Sequence, residues 1–265
     1  MFAVVAAVDW HVVWMRIGHP DHAFFRALYT TVYMAVIAQT LGVILGLVAA
    51  LMRSSKIWLI RWLSGIYIWL FRGTPVLVQI FFVYYGANQL LGFTLIPNSL
   101  NLGLFSLDGA IVAGILALGV NEGAYMREII RAGIDSIDKG QMEAAKSLGM
   151  RYGLAMRRIV LPQAARVIVP PLGNEFNNML KTTSLVFTIG VYELFADAEI
   201  GYSHSFQPVE YFLAVAFWYL VLTTVWTFIQ AAIERNLAAS ERGDELTFRE
   251  RLVAAWTPVG AFVKR

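Results

Sequence analysis

The chain alternates long apolar segments with short polar ones. Residues 27–52 and 211–233 contain no charged side chain, and each exceeds the roughly 20 apolar residues that cross a hydrocarbon core. Residues 73–107 are also uncharged, but Gly92 and Pro97 confine any helix to the first part of this segment. The three segments predict three membrane-spanning helices.

Two further apolar segments are interrupted by charges. Residues 109–127 contain Glu122, and residues 167–192 contain Glu175 and Lys181. Both are long enough to cross the membrane, so the sequence predicts five spans in all. The predicted fold class is therefore an all-α integral membrane protein with about five transmembrane helices.

Residues 58–71 form another apolar segment, which is short for a span. We expect this segment to run along the membrane and to lead into the second span. The alternative is a short span of its own, and that reading would reverse the orientation of everything that follows it.

The basic residues predict the orientation. With the N-terminus outside, most of the 21 Lys and Arg residues lie in cytoplasmic segments, namely residues 53–72, 127–166 and the chain from residue 235 onward. Cytoplasmic loops carry an excess of Lys and Arg. The reverse orientation would place these residues outside, so we expect the N-terminus outside and the C-terminus inside.

The composition fits a membrane protein. Hydrophobic residues make up 58% of the chain and charged residues 15%, against about 25% charged in soluble domains. There are no cysteines, which excludes disulfides, thiolate zinc sites and cysteine nucleophiles. The His residues show no metal-ligand spacing, no phosphate-binding loop is present, and the basic clusters flank membrane segments rather than forming a nucleic-acid surface.

These patterns divide the chain into three parts. Residues 1–23 are predicted to be an extracytoplasmic N-terminal arm, in which Trp10 and Trp14 suit the membrane interface; a disordered start is the alternative. Residues 24–236 form the predicted transmembrane domain. Residues 237–265 form a predicted cytoplasmic tail.

The loop at residues 131–166 is too long for a simple connection. Residues 141–148 are good helix formers, and Gly149 is a natural residue to end a helix. Two adjacent alanines would allow close approach to another surface, and Leu148 offers an apolar contact. The pattern is typical of a short helix that docks on a cytoplasmic partner. A helical hairpin packed beneath the chain's own spans is the alternative.

This loop resembles the "EAA loop" of binding-protein-dependent ABC transporter permeases. The matching run is Glu143-Ala144-Ala145, then Gly149, then Ile159-Val160-Leu161-Pro162. Residues 71–79, 121–128 and 181–185 resemble the polar amino acid subgroup of that family, whose substrates include His, Glu, Gln, Arg and opines. Gly123 departs from the usual Ala. The resemblance covers about residues 24–236.

The resemblance implies the type I ABC importer permease fold in a bacterial cytoplasmic (inner) membrane. It implies alternating access, driven by two partner ATPase subunits that bind ATP and Mg, with no cofactor and no enzyme activity in this chain. It also implies a second permease subunit, either the same chain or a relative, and an extracytoplasmic amino-acid-binding protein. The residues that couple to the ATPase would be Glu143, Ala144, Ala145, Leu148 and Gly149.

Polar side chains inside the predicted spans are candidates for a substrate path, because ionisable groups in the membrane usually face a cavity or a partner. Asn174, Asn178 and Lys181 share one helical face. Lys181 suits an α-carboxylate, and Glu122 or Glu175 suits an α-ammonium. The predicted path residues are Asn121, Glu122, Glu175, Asn178, Lys181, Thr182 and Ser184.

Several alternatives remain open at this point. Lys181 and Glu122 could form an internal ion pair that holds the bundle together, and Glu175 could lie at the inner headgroups. The chain could be a stand-alone secondary transporter or channel, although the docking loop would then have no role. An intramembrane enzyme has no supporting motif. Thr182 is neutral, which favours neutral or acidic amino acids or opines as substrates.

Overall fold

The computed structural model describes residues 8–94, 96–101 and 106–242. The predicted tail at residues 237–265 therefore lies mostly outside the described residues, as does the start of the predicted arm. The described chain is mainly helical, as the sequence predicts.

The helices, in chain order, are α1 (Trp10–Gly18), α2 (His22–Arg53), α3 (Trp58–Gly73), α4 (Val76–Phe81), α5 (Ala87–Leu91), α6 (Gly109–Asp135), α7 (Lys139–Ser147), α8 (Tyr152–Ala155), α9 (Leu161–Thr182), α10 (Leu194–Ser205) and α11 (Pro208–Arg242). Two π-helical segments lie between α4 and α5 and between α8 and α9, at Phe82–Gly86 and Met156–Val160. A 3₁₀ helix, Thr183–Ile189, follows α9.

Three helices are long and apolar enough to cross a membrane unbroken: α2, α6 and the Pro208–Leu237 part of α11. They coincide with the predicted first, third and fifth spans. Two bent pairs of helices also pass this test. One joins α3 to Val76–Leu91 at 108°, and the other joins Tyr152–Ile189 to α10 at 50°. If each bent pair is one span, the described chain contains five.

A proline sets the bend after α3. Pro75 has no backbone N–H and restricts the residue before it, so Thr74 adopts extended backbone with φ −120° and ψ 145°. The side chain of Gln79 then satisfies the exposed acceptors, because Nε2 lies 2.9 Å from the Phe71 carbonyl and 3.0 Å from that of Thr74. The segment at residues 58–71 is thus joined to the next one by a sharp corner.

Two regions differ from the sequence-based expectation. Residues 193–208 lie between the fourth and fifth predicted spans, yet they contain helix α10, with Leu194 fully buried. The all-α prediction also omits a short antiparallel hairpin, in which β1 (Ser99–Asn101) pairs with β2 (Ser106–Asp108). A three-residue strand gives too short an alternation to be recognised in a sequence.

The chain divides into two compact units. Within the described residues, the first comprises 8–128 and 178–222, and the second comprises 129–177 and 223–242. In the first unit, α1 is attached to the start of α11. The Asp9 N–H donates to Glu210 Oε1 at 2.9 Å, and Arg16 donates to the Tyr211 hydroxyl at 2.7 Å. Trp10 and Trp14 remain exposed.

Glycines bring α2 and α6 together in the first unit. Gly42 and Gly46 of α2 face α6, while Gly119 and Gly123 of α6 face α2 and α3. A Cβ at Gly119 would lie 2.7 Å from Leu41 Cδ2, and the Tyr67 hydroxyl fills the space beside Gly123. Small residues four apart allow the close backbone approach that is typical of packed membrane helices.

In the second unit, the first part of α9 packs on the end of α11. The Trp226 indole N–H donates to the Gly173 carbonyl at 2.8 Å, and Gln230 Nε2 donates to the Pro170 carbonyl at 3.1 Å. Gln230 also lies directly against Gly173, where a Cβ would have no room. Pro170 and Pro171 lie within α9. The hydrogen bond from Gln230 of α11 therefore gives the Pro170 carbonyl a partner outside its own helix.

Candidate functional site

Helix α7 is the predicted docking helix. Its N-terminus is capped by Asp138, whose Oδ1 accepts the Gly140 N–H at 2.8 Å. At its C-terminus Gly149 has φ +79°, the Gly149 N–H donates to the Lys146 carbonyl, and the Met150 N–H donates to the Ala145 carbonyl. This pair of hydrogen bonds is the Schellman motif, so the predicted helix and its terminating glycine are confirmed.

The two adjacent alanines of α7 have different surroundings. Ala145 is 1% exposed and packs inside its own chain, whereas Ala144 and Glu143 are exposed. Leu148 is 83% exposed. The exposed surface of α7 therefore includes Glu143, Ala144 and Leu148, whereas Ala145 is buried beneath it.

Glu122 lies in the first unit and is 6% exposed. Gln39 of α2 donates from Nε2 to Glu122 Oε1 at 3.0 Å. The same stretch of α2 carries Gly42, where a Cβ would lie 2.5 Å from Glu122 Cγ. The glycine therefore makes room for a carboxylate between two helices, and the carboxylate is held by an amide rather than lying open to solvent.

Asn121 faces the corner between α3 and α4. Its Nδ2 donates to the Phe71 carbonyl at 2.9 Å and to Gln79 Oε1 at 3.0 Å, which uses both amide hydrogens. Gln79 in turn donates to the carbonyls before Pro75. In this structure Asn121 therefore supports the bend between the two helices, and its assignment to the substrate path stays a prediction.

Lys181 and Asn178 lie on the exposed side of α9. Within the described part of the chain Lys181 has no hydrogen-bond or ion-pair partner, so the alternative of an internal ion pair with Glu122 is not realised. Thr182 is half-buried, and its hydroxyl donates to the Asn178 carbonyl at 2.9 Å. An exposed lysine beside an exposed amide leaves a cationic donor available to a ligand.

The remaining path candidates lie in different surroundings. Ser184 is half-buried in the 3₁₀ helix of the first unit. Glu175 is half-buried in the second unit, together with the α9 stretch that packs on α11. No group of three His, Asp or Glu side chains among the described residues is arranged to hold a metal ion.

Gln39, Gln79 and Glu193 are among the buried polar residues that sequence reasoning did not single out. Gln39 and Gln79 lie in segments judged only by their lack of charge, and each hydrogen-bonds to a predicted path residue. Glu193 is fully buried. It accepts from the Ala196 N–H at 2.8 Å and from the Tyr219 hydroxyl at 3.0 Å. An acid directly after an apolar segment was the available signal, since it can cap the next helix.

The structure and sequence can be compared with known proteins. The family described as "Binding-protein-dependent transport system inner membrane component" matches residues 42–239. The arginine transport system permease protein ArgU of Corynebacterium glutamicum is 41% identical over 243 residues, which cover 89% of this chain and 73% of that protein. The probable amino-acid permease protein YxeN of Bacillus subtilis is 40% identical over 235 residues, which cover 89% of this chain and 98% of that protein.

A solved structure of an amino acid ABC transporter also resembles this chain. A crystal structure described as an amino acid ABC transporter with histidines matches with a TM-score of 0.73 and 37% identity, over 87% of this chain and 100% of that one. The family match runs from residue 42, within α2, to residue 239, within α11, and includes the α7 loop. The chain therefore belongs to the family of binding-protein-dependent transport system inner membrane components.

Proposed function

We propose that this chain is the transmembrane subunit of an ATP-driven ABC importer that moves polar amino acids or opines by alternating access. The observation that carries the proposal is the exposed surface of α7, in which Leu148 is 83% exposed beside a glycine of φ +79°. A short capped helix whose exposed surface combines a small residue with an apolar one suits docking in a groove of a protein partner. Family membership supports the same conclusion.

The proposed partners follow from that role. Two ATPase subunits bind ATP and Mg, and the groove of each receives one α7. A second permease subunit, of the same or a related sequence, completes the path, and an extracytoplasmic binding protein delivers the amino acid. The chain is placed in a bacterial inner membrane with its N-terminus outside and its C-terminus inside, which leaves α7 in the cytoplasm.

Chain connectivity explains how α7 could act on the membrane helices. In the second unit α7 is linked to α6 by the turn at residues 136–138 and to α9 through α8 and a π-helical segment. A displacement of α7 would therefore act first on the adjoining ends of α6 and α9. Gly149 gives the loop its sharp reversal, because a residue with a Cβ is strained at this positive φ.

The proposed path uses the exposed side of α9. Lys181 binds the α-carboxylate, Asn178, Thr182 and Ser184 supply polar contacts, and Glu122 or Glu175 binds the α-ammonium. Lys181 supports this role best, since it is exposed and has no partner within the described residues. Asn121 takes part through the hydrogen bond that joins α6 to the end of α3.

The substrate class needs a direct test. The ArgU relative is named for arginine transport, whereas the neutral Thr182 beside Lys181 favours neutral or acidic substrates. The chain is reconstituted in liposomes with its ATPase and binding protein, and uptake of labelled arginine, glutamine, glutamate and an opine is measured with ATP inside. We expect saturable uptake of at least one of them, and none when the ATPase is omitted.

A variant of the docking surface separates this proposal from a secondary transporter. Glu143→Arg should leave the chain in the membrane and detach the ATPase, so that uptake stops. Arg151→Glu, a charge reversal at an exposed residue beyond the cap, is the control. Ion-gradient-driven uptake without any ATPase would contradict the importer proposal and favour a stand-alone transporter.

A further inference from the structure

The turn between α2 and α3 carries an unusual group of side chains, which we call the α2–α3 corner: Arg53, Lys56, Trp58, Arg61 and Trp62. Helix α2 ends at Arg53, and α3 begins at Trp58. Because α2 is long and apolar enough to span a membrane, its end lies at the depth of the lipid headgroups. The corner is therefore placed where protein, water and lipid meet.

Arg61 gives the corner a fixed shape. Its Nη1 donates to the carbonyls of Ser55 and Lys56, at 2.9 Å in each case. Arg53 lies beside Arg61, because its Nη1 is 3.5 Å from the Arg61 carbonyl. The two guanidinium groups are thus held on one short turn, and the Lys56 side chain is exposed beside them.

The positive charge of the corner is not balanced by this chain. The sequence has no Asp or Glu anywhere from residue 22 to residue 107. Among the described residues, neither Arg53, Lys56 nor Arg61 forms an ion pair with a carboxylate. The three basic side chains of the corner therefore have their charges available to an anion from outside the chain.

The apolar side of the corner is also uncovered. Trp58 and Trp62 are 67% and 54% exposed and lie one helical turn apart on the same face of α3. The opposite face is anchored, because the Ser64 hydroxyl donates to the Ala49 carbonyl at 2.8 Å and the Tyr67 hydroxyl donates to the Val120 carbonyl at 2.6 Å. The tryptophan face is thus directed away from the rest of the first unit.

We propose that the α2–α3 corner binds the headgroup of an anionic phospholipid. Arg53 and Lys56 contact the phosphate, and Trp58 and Trp62 lie against the glycerol and the first acyl carbons. Charge complementarity identifies the headgroup, since unpaired basic residues beside a membrane helix attract anionic lipid. The exposed indoles identify a lipid rather than a soluble anion, because tryptophan favours the membrane interface.

The test compares lipids that differ only in headgroup charge. The full-length chain is purified in micelles that contain equal amounts of phosphatidylglycerol and phosphatidylcholine, and retained lipids are counted by native mass spectrometry. We expect wild type to retain phosphatidylglycerol preferentially. Arg53→Gln with Lys56→Gln should lower this preference about 25-fold, since each basic residue near the surface contributes about five-fold. Arg61 is kept, because it shapes the turn.

The control removes the same charge elsewhere. Arg157→Gln with Arg158→Gln alters two exposed residues of the π-helical segment before α9 and should leave the preference unchanged. Equal loss in both double variants would overturn the proposal, as would equal retention of the two lipids by wild type. Complete displacement of phosphatidylglycerol by inorganic phosphate would also overturn it, because it would indicate a soluble-anion site.

A second measurement applies even if the double variant is unstable. In wild type, brominated phosphatidylglycerol should quench tryptophan fluorescence more strongly than brominated phosphatidylcholine. Trp58→Phe with Trp62→Phe should remove that difference, while Trp10→Phe with Trp14→Phe on α1 should preserve it. Identical quenching of wild type by the two lipids would contradict the proposal.

Discussion

Gly42 of α2 lies directly against Glu122 of α6, so closely that a Cβ on the glycine would come within 2.5 Å of Glu122 Cγ. One turn further along α2, a Cβ on Gly46 would lie 2.5 Å from Met126 Cβ. Helix α6 carries the same spacing in Gly119 and Gly123. Two small-residue motifs thus meet inside one chain, and their close approach brings Gln39 within hydrogen-bonding distance of the buried carboxylate.

The first prediction concerns this helix contact. Gly46→Ala should lower the free energy of unfolding by about 1–3 kcal/mol, the usual range for overpacking, because Met126 Cβ and the Arg127 backbone N cannot turn aside. Gly65→Ala on α3 is the control, since nothing lies within 4 Å of a Cβ at that position. The measurement is thermal unfolding in detergent. Equal stability of the two variants would show that α2 and α6 are not in close contact at Gly46.

The second prediction separates two asparagines proposed for the same path. Asn121→Ala leaves Gln79 Oε1 without its donor and removes one of the two donors to the Phe71 carbonyl, so it should destabilise the chain by about 1–3 kcal/mol. Asn178→Ala, on the exposed side of α9, should leave thermal unfolding unchanged. If Asn121→Ala unfolds at the wild-type temperature and alters only transport, Asn121 is a path residue rather than a support of the bend.

The third prediction uses the two adjacent alanines of α7. Ala144→Leu should prevent the ATPase from co-purifying while the chain stays as stable as wild type, because Ala144 is exposed. Ala145→Leu should instead lower stability by about 1–3 kcal/mol, because Ala145 is 1% exposed and has no room to grow. Leucine is a good helix former, so α7 itself persists in both. Full ATPase recovery with Ala144→Leu would exclude this surface as the docking site.

The fourth prediction concerns Lys181. Lys181→Ala should abolish substrate-stimulated transport or broaden its specificity, while assembly with the ATPase stays intact, because the side chain is exposed and unpaired within the described residues. Lys181→Arg keeps the positive charge and should retain part of the activity. The measurement is the KM for uptake of an amino acid and of its analogue without an α-carboxylate. Unchanged kinetics in Lys181→Ala would remove this residue from the proposed site.

Much of the fold can be predicted from the sequence where one property decides. Long apolar segments predict α2, α6 and α11, the second of them in spite of Glu122, and Gly149 predicts the end of α7. Helix α10 is missed because Asp197 and Glu199 interrupt its apolar residues. Leu194 is nonetheless buried, since the acid at the N-terminus caps the helix instead of being solvated.

The candidate site is less accessible from sequence. Individual polar residues in apolar segments can be recognised, and Glu122 and Lys181 were found in this way. The surroundings of these residues cannot be recognised from sequence, because hydrogen bonds such as Gln39 to Glu122 or Asn121 to Gln79 depend on which helices are neighbours. The residues that hold the others in place were therefore the ones missed.

The change of helix type after Thr182 has a mechanical consequence. A 3₁₀ helix rises about 2.0 Å per residue and an α-helix about 1.5 Å, so converting the seven residues Thr183–Ile189 would shorten this segment by about 3.5 Å. The same conversion would turn whatever follows it by about 140°, since each residue would advance about 100° instead of 120°. Lys181 lies just before this 3₁₀ segment, and the buried Glu193 lies just after it. A conversion to α-helix would therefore shift and rotate Lys181 relative to Glu193.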